Sequence, residues 1–177
     1  MRGILTATVL LTLAGCSPFT INADYDNTAD FGRYRTWSWF TGPHPYGAGV
    51  DQLLDNRIRA SLEAELPHHG LAKAADGSSD LLVSYHLSVA QRIEVNPTTA
   101  SVGYGWGRGY VAYSSGGDIR TYDEGTLIVD LVDAKTKNLV WRGIAKATVY
   151  ANSTPEERTE RVRTAIQAIL DQYPPIK

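Results

Sequence analysis

Two runs of alternating side chains, separated by a short polar turn, constrain the fold of this chain most strongly. Residues 125–133 and 139–150 both alternate apolar and polar side chains, a period that is typical of half-buried strands. Because only the polar segment 133–138 separates them, we predict an antiparallel hairpin in which Asp130 faces Arg142. The side chains predicted on its buried face are Leu127, Val129, Leu131, Leu139, Trp141, Ala145, Ala147 and Val149.

The rest of the chain alternates between strand and helix patterns. Period-two runs predict strands over 19–25, 33–41 and 80–95, and helical spacing predicts helices over 50–66 and 154–173. The predicted fold class is therefore α+β: a mostly antiparallel sheet of hairpin-linked strands, in the order β-β-α-β-β-β-α, with two helices packed on one face. The apolar stripe of the first helix comprises Val50, Leu53, Leu54, Ile58, Leu62 and Leu66.

Three local signals refine these predictions. Pro67 and Gly70 are expected to end the first helix, because proline lacks the donor that a helix needs and glycine readily adopts the left-handed conformation. Thr154 and Glu157 form a predicted capping box at the start of the second helix. The tryptophans Trp37, Trp39 and Trp141 lie on predicted inward faces, so we expect them in the core rather than at a ligand site.

The N-terminal residues have the pattern of a bacterial lipoprotein signal. Arg2 precedes an uncharged apolar run from Ile4 to Leu13, which has the length of a secretory signal and is too short for a permanent membrane helix. Leu13-Ala14-Gly15-Cys16 then resembles a lipobox, with small residues beside the cleavage site and a thiol that can be alkylated. We predict that residues 1–15 are removed between Gly15 and Cys16, and that lipidated Cys16 begins a single domain, 16–177.

The predicted lipid determines the expected location and partners. Two or more acyl chains on Cys16 anchor a protein stably to a membrane, and Ser17 at the next position favours the outer membrane of a Gram-negative cell, facing the periplasm. The chain has 17 basic and 19 acidic residues and a net charge of −2, without the basic stripe that nucleic-acid binding requires. Cys16 is the only cysteine, which excludes an intramolecular disulfide and a cysteine-based zinc site.

Residues 97–117 interrupt the strand pattern with glycine at alternate positions from 103 to 109. We expect an exposed mobile loop, because glycine raises the entropic cost of ordering. The segment does not match a nucleotide-binding fingerprint, since Arg108 stands where a third glycine is needed. Its aromatic and cationic side chains are candidate contacts for a partner or ligand. These candidates are Tyr104, Trp106, Arg108, Tyr110 and Tyr113.

Four segments resemble a family of bacterial lipoproteins, the domain of unknown function 4136 (DUF4136) family. They are Asp24-Tyr25-Asp26 with the segment 30–39, the helix ending His69-Gly70-Leu71, the segment 79–85, and the hairpin containing Gly125-Thr126-Leu127 and Val140-Trp141-Arg142-Gly143. The resemblance covers nearly the whole mature chain. It implies a fold, a lipid anchor and an envelope location, and it brings no active site with it.

No motif in the sequence points to catalysis. There is no G-x-S-x-G nucleophile motif and no H-E-x-x-H metal motif, and we predict no cofactor and no metal. Our first hypothesis is a non-enzymatic interaction module that contacts an unknown envelope protein or a cell-wall component. The alternative is a lipoprotein that binds a small glycan or lipid ligand, and an envelope hydrolase is the third possibility.

Overall fold

A computed structural model describes residues 18–41, 51–75, 78–96 and 118–175. The strands are β1 (Thr20–Tyr25), β2 (Thr36–Trp39), β3 (Ala72–Lys73), β4 (Leu81–Asn96), β5 (Asp118–Asp133) and β6 (Leu139–Thr148). The helices are α1 (Gln52–Glu65) and α2 (Pro155–Leu170), with short 3-10 helices at Phe31–Arg33 and Leu66–His69. The predicted loop 97–117 lies outside the described residues, as does the segment 42–50.

The strands form one mixed sheet in the order β1-β6-β5-β4-β2-β3. The strands β1, β6, β5 and β4 pair antiparallel, whereas β2 is parallel to both β3 and β4. The α+β class with two helices is confirmed, but the prediction of hairpin-linked strands is wrong for β1 and β2, which lie on opposite sides of the central hairpins. The helix α1 connects β2 to the later strands, and such a crossover allows parallel neighbours. The structure also contains the two-residue strand β3, which the sequence did not predict.

The predicted hairpin of β5 and β6 is confirmed, together with the pairing of Asp130 and Arg142. The guanidinium of Arg142 donates to both carboxylate oxygens of Asp130, at 2.6 and 2.7 Å. A register shift after Leu131 makes Val140 an extra residue in β6. Because such a bulge reverses the facing of the residues before it, Leu139 is 42% exposed and the prediction of its burial is wrong. Val149, which follows the end of β6 at Thr148, is also 42% exposed, so its predicted burial is wrong as well.

The strand β5 begins at Asp118, seven residues before the predicted start at Gly125. Its first half pairs with the exposed second half of β4. This part of the hairpin is held by backbone hydrogen bonds rather than by burial, so its sequence carries no apolar alternation to predict it. Val89, in the second half of β4, is accordingly 58% exposed.

Both helices pack on the face of the sheet that carries Trp37 and Trp141, which are fully buried as predicted. The α1 stripe is confirmed at Ile58, Leu62 and Leu66, whereas Leu53 is 66% exposed. Residues four apart share one face of a helix, so Leu54 lies on the buried face with Ile58 and packs against the core. Leu53 is one position earlier and points away from that face. Val50 lies outside the described residues.

The sequence signals at the end of α1 and the start of α2 are confirmed, whereas α2 ends at Leu170, three residues before the predicted end. Gly70 has a φ of 77° after the 3-10 turn that follows α1, as its left-handed role requires. Thr154 and Glu157 form the predicted capping box, and Pro155 is the first residue of α2. Trp39 is partly buried and packs against the core. No helix in the described ranges has the length and hydropathy that a membrane crossing needs.

Candidate functional site

A cavity of about 330 Å³ lies between the first turns of the two helices and the sheet. Its inner wall is apolar and comes from the strands β4, β5 and β6, from both helices and from Phe19, which immediately precedes β1. The apolar and small side chains that line it belong to Phe19, Leu54, Ile58, Leu87, Val89, Gly125, Leu127, Ala145, Ala147, Val149, Ala151, Val162 and Ala165. We call this cavity the helix–sheet pocket.

The pocket exists because small residues meet where larger ones would fill the space. Gly125 pairs with Ala147 and Leu127 pairs with Ala145, so two neighbouring strands carry short side chains side by side. Ala165 of α2 adds a third short side chain. The small side chains therefore leave a gap between the sheet and the first turns of the two helices, whereas the rest of this face is packed.

One side of the mouth is formed by aromatic rings around Arg161. Its guanidinium carbon lies 4.7 Å from the ring centre of Tyr150 and 5.9 Å from that of Phe19. The same guanidinium donates a hydrogen bond to the carbonyl of Thr148, the last residue of β6. Cation–π contacts and this hydrogen bond hold the start of β1, the end of β6 and α2 together at the mouth.

The charged side chains of the described lining are three arginines and one aspartate. Asp51 caps α1 by accepting from the backbone N–H of Leu54 at 2.9 Å. Arg57 donates to the hydroxyl of Thr159 at 3.1 Å, which links the two helices. Arg158 lies in the first turn of α2, close to the partial positive charge of a helix N-terminus. The described lining is therefore positive on balance above an apolar interior, and Glu156, Glu157 and Glu160 of α2 lie just outside it, beside Tyr150 and Arg161.

A second group of polar side chains lies on the opposite face of the sheet, around the buried Asp130. Asp130 is 4% exposed, and besides its bidentate bond to Arg142 it lies 3.4 Å from the Nε2 atom of His86. Ser84 is the residue opposite Asp130 on β4. Because both carboxylate oxygens already accept hydrogen bonds from Arg142, we assign this cluster to the stability of the sheet. In the described ranges, no group of three His, Cys, Asp or Glu residues could hold a metal.

The site residues predicted from sequence all lie outside the described ranges. They are the cleavage and lipidation residues Gly15 and Cys16 and the loop residues Tyr104, Trp106, Arg108, Tyr110 and Tyr113. The helix–sheet pocket was missed. Its one readable signal is the set of small residues on adjacent inward positions, and that signal becomes meaningful only once the register of β5 and β6 is known.

An α+β domain with a pocket between one helical layer and its sheet is the class that these observations define. The model of the family described as "Domain of unknown function (DUF4136)" matches residues 21–175. The chain therefore belongs to this family, as the resemblance in its sequence indicated. A comparison with curated proteins finds no match.

Solved structures support the fold. A PDZ domain protein from Parabacteroides distasonis is 18% identical with a TM-score of 0.56, over 90% of this chain and 36% of that one. This chain thus spans about a third of that protein's length, and the likeness concerns the fold alone. Two structures of the PelC dodecamer from Paraburkholderia phytofirmans have TM-scores of 0.43 and 0.42 at 10% and 11% identity. Each covers 85% of this chain and 96% of PelC.

Proposed function

We propose that this protein is a lipid-anchored, non-enzymatic protein of the outer membrane, facing the periplasm, that binds a ligand with an acyl chain and an anionic head. The lipobox supports the anchor at Cys16, and Ser17 supports the location. The binding role rests on one observation, the apolar helix–sheet pocket with arginines at its mouth.

The size and lining of the pocket favour an alkyl ligand. A volume of about 330 Å³ is near the lower end of the range of about 300–1,000 Å³ that is typical of ligand pockets. Each methylene group that enters contributes about 0.8 kcal/mol, so six of them contribute about 5 kcal/mol. The guanidinium groups of Arg57 and Arg158 are placed to bind a carboxylate or phosphate at the mouth. A glycan fits less well, because its hydroxyl groups would lack hydrogen-bond partners inside.

The proposal is tested with the unlipidated mature chain, Cys16→Ser without residues 1–15. The described core is built from residues between 19 and 173, so this chain keeps all of its contacts. We expect dodecanoate to bind in isothermal titration calorimetry and dodecanol to bind more weakly. Arg158→Gln should remove most of that difference, whereas Arg163→Gln, an exposed arginine of the same helix outside the pocket lining, should leave it intact.

A second variant examines the interior of the pocket. Ala147→Phe places a ring in the cavity and should abolish binding of both probes, while the thermal unfolding temperature shows whether the variant is folded. If neither dodecanoate nor dodecanol binds the folded Cys16→Ser chain at millimolar concentration, the pocket is not a ligand site.

The edge of the sheet favours a second candidate function, the interaction module. The strand β1 lies at one of the two edges of the sheet, and its residues Asn22 to Tyr25 are exposed. An edge strand presents backbone donors and acceptors that a partner strand can pair with. A photocrosslinking residue at Asn22 in the lipidated protein should capture one envelope partner from intact cells. Recovery of monomer alone, under conditions that trap known envelope complexes, would reject this role.

A further inference from the structure

Large apolar side chains are exposed next to the mouth of the helix–sheet pocket. Val89 is 58% exposed, Val149 is 42% exposed and Tyr150 is 62% exposed. Ile93, four residues beyond Val89 on β4, is 68% exposed. Exposed apolar residues are ordinary when they are scattered, but a contiguous group indicates an interaction surface.

The register places these residues on one face of the sheet. Val89 pairs with Gly125, and the side chain of Val149 lies 3.0 Å from the position of a Cβ atom on that glycine. Side chains two and four residues apart on a strand point to the same side, so Ile93 lies on this face about 13 Å beyond Val89, with Gln91 between them. We call Val89, Ile93, Val149 and Tyr150 the apolar strip.

The arginines of the pocket border the apolar strip. Arg161 stacks on Tyr150, and Arg57 and Arg158 line the same mouth. A surface that combines apolar side chains, a tyrosine and arginines has the composition of an interfacial membrane-binding surface. In such surfaces the apolar groups enter the headgroup boundary, while tyrosine and arginine remain at headgroup level.

The beginning of the described chain lies at this surface. Phe19 lines the pocket and contacts Arg161, and it is three residues after Cys16. Three residues span at most about 11 Å. An acyl anchor on Cys16 therefore holds the bilayer within a short distance of the apolar strip.

We propose that the apolar strip and the three arginines dock on the phospholipid bilayer, so that the mouth of the helix–sheet pocket opens toward the membrane. This inference deepens the proposed function, on which it partly rests, since it makes acyl chains of the bilayer the source of the ligand. Docking adds to the predicted lipid anchor by fixing the orientation of the domain.

The test uses the Cys16→Ser mature chain, so that binding reflects the protein surface alone. Vesicles of phosphatidylcholine with one-third phosphatidylglycerol are floated through a density gradient with this protein. We expect co-flotation at low salt and weaker binding at high salt, since each arginine near an anionic surface contributes about fivefold in affinity. Arg57→Gln should weaken binding to these vesicles by about that factor and have little effect with phosphatidylcholine alone.

A matched pair of exposed positions gives the sharpest comparison. Ile93→Asp should lower the vesicle partition coefficient about tenfold or more and leave dodecanoate binding unchanged, because Ile93 does not line the pocket. Leu139→Asp changes an exposed apolar residue at the other end of the sheet. It should change neither the vesicle partition coefficient nor the affinity for dodecanoate. Thermal unfolding establishes that both variants fold.

The outcomes separate the two proposals. If the chain binds dodecanoate but does not float with either vesicle, docking is wrong and the proposed function stands. If it floats but binds no alkyl probe, the proposed function fails and docking stands. If Ile93→Asp instead abolishes self-association in sedimentation experiments and leaves flotation unchanged, the strip is an interface between copies and the docking inference is overturned.

Discussion

Asp133, the last residue of β5, joins the β5–β6 turn to the segment between β1 and β2. One carboxylate oxygen accepts from the backbone N–H groups of Lys135 and Thr136, each at 2.9 Å. The other accepts from the hydroxyl of Tyr34 at 3.0 Å and from the guanidinium of Arg33. Asp133 is 2% exposed, so all four donors act on a carboxylate that is removed from water. Its charge should therefore contribute measurably to stability.

These donors lower the pKa of Asp133 from the ordinary 3.8 to about 2, with the N–H of Thr136 as the largest cause and the N–H of Lys135, Tyr34 and Arg33 also contributing. Burial opposes them by raising the pKa. The difference between the two pKa values corresponds to about 2 kcal/mol of folding free energy. Because the pKa is lowered in the folded state, this stability is fully present above about pH 4 and is lost as pH falls toward about 2.

Asp133→Asn removes the titrating group and one acceptor oxygen. At pH 7 we expect the free energy of unfolding, measured in urea, to fall by about 2 kcal/mol or more. The difference in free energy of unfolding between the wild type and Asp133→Asn should shrink by about 2 kcal/mol as the pH is lowered from 5 to 2. Asp123→Asn, an exposed residue of the same strand, is the control and should change stability by less than about 0.5 kcal/mol. If the difference in free energy of unfolding between the wild type and Asp133→Asn stays constant over this pH range, the reasoning is refuted.

Three further substitutions probe packing, backbone strain and capping, each measured by urea or thermal unfolding. Gly143→Ala should destabilise the protein by about 1–3 kcal/mol, because the new Cβ would lie 2.4 Å from side-chain atoms of both Trp141 and Ile169. If the variant is as stable as the wild type, these side chains can move aside at little cost and the prediction is wrong. Lys137→Gly should stabilise by about 0.5–1 kcal/mol, since Lys137 has a φ of 61°; a loss of stability would mean that its side chain matters more than the strain. Thr154→Ala should cost about 1 kcal/mol by removing the hydrogen bond to the N–H of Glu157, and an unchanged unfolding midpoint would contradict this.

The sequence predicted elements that depend on local signals. The hairpin of β5 and β6 was predictable because its alternation and polar turn lie within about 25 residues, and the pairing of Asp130 with Arg142 followed from the turn. The start of α2 followed from Thr154 and Pro155, whose effects act within one helical turn. Neither case needed knowledge of a distant segment.

What the sequence did not reveal depends on contacts between distant segments. The alternation in β2 says that it is a strand but not that it lies parallel to β4, because that pairing is determined by the crossover through α1. The bulge that exposes Leu139 and the polar start of β5 leave no apolar period to detect. The helix–sheet pocket depends on Gly125, Ala147 and Ala165, three small residues from three elements that only the fold brings together.

The pairing of β1 with β6 relates the pocket to the proposed anchor. Thr20 pairs with Lys146 and Tyr25 with Trp141, so the beginning of β1 lies beside the end of β6, where the pocket opens. Had β1 formed a hairpin with β2, as the order of the strands suggested, Phe19 would lie near the other edge of the sheet, away from Arg161 and Tyr150. An acyl chain on Cys16 would then hold the bilayer on a side that has no apolar strip. The antiparallel register of β1 on β6 is therefore the feature of the fold that would place the proposed anchor, the pocket and the proposed docking surface at one end of the molecule.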